Sequence, residues 1–94
     1  MDNQKLAIQL IGEQIKNQVL MTALENLGFD CSMYTLNISE IILSLIGFDE
    51  KSDSLYQQYF EMIENALKDI SYYNMDEMMM KWSKVIYFDL KEIL

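Results

Sequence analysis

The chain has 94 residues, with fifteen Asp plus Glu against seven Lys, no Arg, no His and no Pro, for a net charge of -8. A hydrophobic fraction of 51% excludes a disordered chain, and the length leaves room for one domain, 1–94. The acidity opposes a phosphate backbone and argues against direct nucleic-acid binding. Without histidine, and with Cys31 as the lone cysteine, the usual Ser-His and Cys-His nucleophiles and a tetrahedral zinc site are not available.

The first segment opens on Asp2, and Gln9, Glu13 and Gln14 interrupt its apolar residues, so a signal peptide is not expected. A helix is predicted over about 3–27. Ile8, Ile11 and Ile15 form one stripe of its first half, while Leu20, Ala23, Leu24 and Leu27 lie about a quarter turn or more away. The two halves should therefore face different neighbours. Either this helix curves round its own core or its first half docks on a second chain, and Ile8, Ile11 and Ile15 are the contact residues expected in the second case. Gly12 permits a close helix approach or marks a kink.

Asn26-Leu27-Gly28-Phe29-Asp30 is a helix stop, because glycine accepts the left-handed conformation and the next residue can pack back on the last turn. The segment 29–37, with Phe29, Cys31, Met33, Tyr34 and Leu36, is expected to fold over the bundle end. Cys31 reads as a small apolar residue near a helix end. Asn37 followed by Glu40 opens a short helix, predicted at 38–46. It is apolar except for Glu40 and Ser44, which is the pattern of a helix buried at the centre. Gly47-Phe48 repeats the stop. Asp49, Glu50 and Asp53 lack the ligand spacing of a calcium loop and read as capping and solvating charges.

The third helix is predicted at 54–72, with Leu55, Tyr56, Tyr59, Phe60, Met62, Ile63, Ala66, Leu67 and Ile70 on its apolar face. Asn74 with Glu77 opens the fourth, at 75–93. Its core stripe is Met75, Met78, Met79, Trp82, Val85, Ile86, Leu90 and Ile93, and Asp89 falls inside it, where a carboxylate needs a donor or the solvent boundary. Met80, Tyr87 and Leu94 form a second apolar strip on the other side. The aromatic residues Tyr56, Tyr59, Phe60, Tyr72, Tyr73 and Trp82 are expected to fill a core rather than line a ligand pocket. Glu61 with Glu64 and Asp76 with Glu77 are acid pairs on helix faces, a weak pattern for hydrolytic chemistry. The three scattered glycines form no phosphate-cradling loop.

The expected fold is an all-α, compact, irregular four-helix bundle with a short buried second helix, in which helices 3 and 4 pair across Tyr72 to Asn74. The expected function is a non-catalytic protein-interaction module, self-associating or bound to another protein through Ile8, Ile11, Ile15, Met80, Tyr87 and Leu94. The alternative is an acidic inhibitor that blocks a basic site on a target protein with Glu61, Glu64, Asp69, Asp76 and Glu77. No cofactor, metal, nucleic acid or membrane partner is expected. Cysteine usage and the short apolar runs place the chain in the cytoplasm.

Overall fold

The computed structural model describes residues 2–31, 38–47 and 53–93. They form four helices and, among the described residues, no strand: α1 (Asn3–Asn26), α2 (Ile38–Ile46), α3 (Asp53–Asp69) and α4 (Met75–Ile93). The radius of gyration is 13.3 Å, as expected of one compact domain of about this length.

Local chemistry sets the helix ends. Asp2 Oδ1 accepts from the backbone N–H groups of Gln4 and Lys5, at 3.1 and 3.4 Å, and so satisfies two of the donors left over at the start of α1. At its other end Gly28 takes φ 95°. Its N–H donates to the Glu25 carbonyl, and the Phe29 N–H donates to the Leu24 carbonyl at 3.1 Å, the paired bonds of a Schellman stop. The expected packing of Phe29 is absent, however. Its ring is 62% exposed, beside exposed Leu24 and Leu27. The backbone bonds and the glycine close the helix without the ring. Gly47, at φ 103°, ends α2, and Lys91 Nζ reaches the Ile46 carbonyl at 3.5 Å, a cation placed on the negative end of that helix.

α3 stops three residues earlier than its apolar pattern suggests. The cause is Asn74, whose side chain turns back instead of capping α4. Its Oδ1 accepts from the Ser71 N–H at 2.6 Å, and its Nδ2 donates to the Asp69 carbonyl at 3.2 Å. The carboxamide thus takes bonds that would otherwise invite another turn of helix.

α1 is the hub, packing most extensively on α4, then on α2, and also on α3. Its sequence-inferred division into two halves is visible: Gly12 faces Met79 and Ser83 of α4, while Val19, Ala23 and Asn26 share a groove with Leu67 of α3 and with Ile70 just beyond it. Ile11 and Ile15 are fully buried in the chain's own core, with Ala7, Val19, Ile42, Leu43, Tyr59, Ile63, Ile86 and Leu90. They are therefore corrected from contact residues to core residues, because a central helix needs apolar side chains on more than one flank. α2 buries Ser39, Ile42, Leu43 and Ile46 and leaves Ile41 and Ser44 outside.

One polar network crosses this core. The Tyr59 hydroxyl donates to Gln14 Oε1, and Gln14 Nε2 donates to Ser39 Oγ at 3.1 Å, which ties α3, α1 and α2 together. All three residues are buried. Their mutual bonds remove much of the cost of desolvating them, and their directionality fixes the register of the three helices. Burial pushes the Tyr59 phenol well above its ordinary range, against a smaller lowering by Ser39.

Candidate functional site

The orientation of α4 decides which surface is free. Its buried face is centred on Ser83, Ile86, Tyr87 and Leu90, with Met75, Met78, Met79 and Trp82 at the margin. Relative to the stripe expected from the sequence, the buried face of the helix is turned toward Ser83 and Tyr87. One correction follows. Tyr87, expected on a free strip, is 5% exposed and belongs to the core. Asp89 is exposed, the solvent-side alternative of the two that its place in the stripe left open. Val85, Phe88 and Ile93, assigned to the core side or left unassigned by the apolar pattern, are exposed to solvent.

Gly12 of α1 faces Met79 and Ser83 of α4, and the Ser83 hydroxyl is satisfied within its own helix by the Met80 carbonyl at 3.0 Å. A methyl group built on Gly12 would stand 3.6 Å from Met79 Cγ and 3.8 Å from Ser83 Cβ, in ordinary contact, so the crossing has room for a small side chain. Tyr87 lies one helical turn beyond Ser83 on the same buried face.

Above this crossing a groove of about 360 Å³ remains open between α1 and α4, lined by Ile8, Gly12, Met79, Met80 and Ser83, with Lys5, Gln9, Glu13 and Lys84 also on its walls. Met80 stands 61% exposed at its edge. Of the contact residues inferred from sequence, Ile8 and Met80 therefore come together, Ile11, Ile15 and Tyr87 lie inside, and Leu94 lies outside the described residues. Sequence reasoning singled out Gly12 as a place of close helix approach but missed Ser83 opposite it, because hydrophobic periodicity ignores a small polar residue.

The carboxylates do not form one patch. Glu61 and Glu64 lie on the outer face of α3, whereas Asp69, Asp76 and Glu77 flank the turn between α3 and α4; all five are exposed. Asp76 and Glu77 occupy the first turn of α4, where they complement the positive end of the helix. Among the described residues no three Cys, Asp or Glu side chains are placed to hold a metal ion, and no helix is long and apolar enough to cross a membrane. The expected aromatic cluster is split: Tyr59 is buried in the core, Phe60 is partly exposed beside it, and Tyr72 and Tyr73 stand outside. Cys31 is a free, buried thiol.

Comparison with known proteins returns no matching family model and no significant match among curated proteins or solved structures.

Proposed function

We propose that this chain is a non-catalytic protein-interaction module of the cytoplasm whose α1–α4 groove pairs with the same groove of a second copy. The observation that carries the reading is a knob beside a hole on one face. Met80 projects next to the gap above Gly12, with Ile8 on the opposite wall. A two-fold interface requires such self-complementarity, since each patch must be both donor and receiver. The charges around the groove satisfy the same condition: Lys5 and Lys84 of one copy have Glu13 of the other as a counter-ion. Catalysis has little support, because the chain lacks histidine and its most strongly perturbed phenol, Tyr59, is locked in the core network.

Sedimentation of the purified protein at about 0.1 mM, which reveals association with a Kd near that value, should report a dimer. Met80→Lys should shift it to monomer with unchanged helicity, because Met80 contributes little to the core. A parent chain that is monomeric at this concentration would refute self-pairing.

A second reading, inhibition of a basic site on a target protein, is favoured by the solvent exposure of Glu61, Glu64, Asp69, Asp76 and Glu77. Its complexes should weaken as salt rises.

A further inference from the structure

A second groove lies at the other half of α1. It has a volume of about 310 Å³ and is lined by Val19, Thr22, Ala23 and Asn26 of α1, Leu67 of α3, and Ile70, Ser71 and Tyr72 beyond the α3 terminus. Its base is apolar and its mouth aromatic. Tyr72 is 59% and Tyr73 97% exposed, and the two rings meet edge to face with centroids 6.0 Å apart. An exposed aromatic pair on a loose loop would mean little. Here Asn74 braces the turn from within, bonded to Ser71 and to the Asp69 carbonyl, so the rings are presented by a fixed backbone.

The charge at this end is predominantly negative. Segments 19–30 and 67–77 carry Glu25, Asp30, Asp69, Asp76 and Glu77 against Lys68, five carboxylates to one lysine. The α1–α4 groove, by contrast, has Lys5 and Lys84 against Glu13. An apolar slot with Tyr72 on its wall, Tyr73 beside it and a negative field around it selects an occupant that combines a greasy anchor with positive charge. Aliphatic side chains can fill the space over Val19, Ala23 and Ile70. Lysine or arginine beside them gains from the surrounding carboxylates and from the faces of Tyr72 and Tyr73.

We infer that the α1–α3 groove at the turn end is a docking site for a basic, amphipathic helical segment of a protein partner. The site is separate from the α1–α4 groove and stands or falls independently of it; it gives the acidic reading a location. A second copy of this chain is a poor occupant, since its exposed helix faces are themselves rich in acid.

The probe is a synthetic amphipathic helix of leucine and lysine, with a glutamate-for-lysine peptide of the same length as control. Titrated into isotope-labelled protein, the basic peptide should shift backbone resonances in 19–26 and 67–77, leave those of Ile8 and Met80 in place, and lose at least tenfold in affinity between low and high salt. Tyr72→Ser with Tyr73→Ser should weaken binding at least tenfold while circular dichroism stays unchanged, both side chains being exposed. Asp76→Asn with Glu77→Gln should reduce the salt dependence. Equal binding of the acidic peptide, shifts confined to the α1–α4 groove, no binding at all, or indifference to loss of both tyrosines would each overturn the assignment.

Discussion

At the residue scale, three polar side chains organise an otherwise greasy core. Tyr59, Gln14 and Ser39 could have been apolar, and their bonds instead link three helices at fixed points. Tyr59→Phe removes one partner and leaves Gln14 Oε1 buried without its donor, so urea unfolding should show a loss of about 1–3 kcal/mol. The phenol also fixes a pH dependence. Its folded pKa is raised above the ordinary value of 10.0, so the unfolded chain releases this proton first as pH rises. The Tyr59 contribution is therefore fully present below that value and lost progressively above it. An alkaline titration followed by tyrosinate absorbance should show the Tyr59 phenol ionising only as the helical signal disappears. Ionisation of every tyrosine in the folded protein would show the network to be misassigned.

At the element scale, the facing of α4 is the feature that separates surface from core. Thermal unfolding checks it directly. Tyr87→Ala should cost about 3–5 kcal/mol, as truncation of a buried large aromatic does, whereas Asp89→Ala should stay within about 0.5 kcal/mol. The stripe read from periodicity alone implies a different pattern, with Tyr87 dispensable. The helix spans themselves were legible: α2 and α4 begin and end close to where glycine and apolar spacing place them, because those signals act locally. The end of α3 was less so, since an asparagine followed by a glutamate three residues on reads as a cap whichever way its side chain turns. The facing of α1 and α4 was not legible, because both helices carry apolar residues on more than one flank. The contact between Gly12 and Ser83 at their crossing joins residues far apart in sequence. For the same reason half of the expected contact surface sank into the core while its neighbours Ile8 and Met80 stayed at the groove.

At the scale of the whole molecule, the core is built round α1, and two grooves along that helix differ in character. The α1–α4 groove is apolar with mixed charge, and the groove at the turn end is apolar with an exposed tyrosine pair and acidic neighbours. Gly12 lines the first. Gly12→Ala should be accommodated and should raise stability by about 0.5–1 kcal/mol through helix propensity, since the added methyl meets only ordinary contacts. Gly12→Leu should instead overpack the crossing and cost about 1–3 kcal/mol, read by the same unfolding curves. The central claim is that Ile8 and Met80 of one copy meet those of another. It is tested most directly by isotope-filtered NMR on an equal mixture of methyl-labelled and unlabelled chains. Intermolecular cross-peaks between the Met80 methyl and the Ile8 side chain are the expected result; their absence at about 0.1 mM, a concentration at which a weak dimer is populated, or their appearance only at Tyr72 and Leu27, would contradict it.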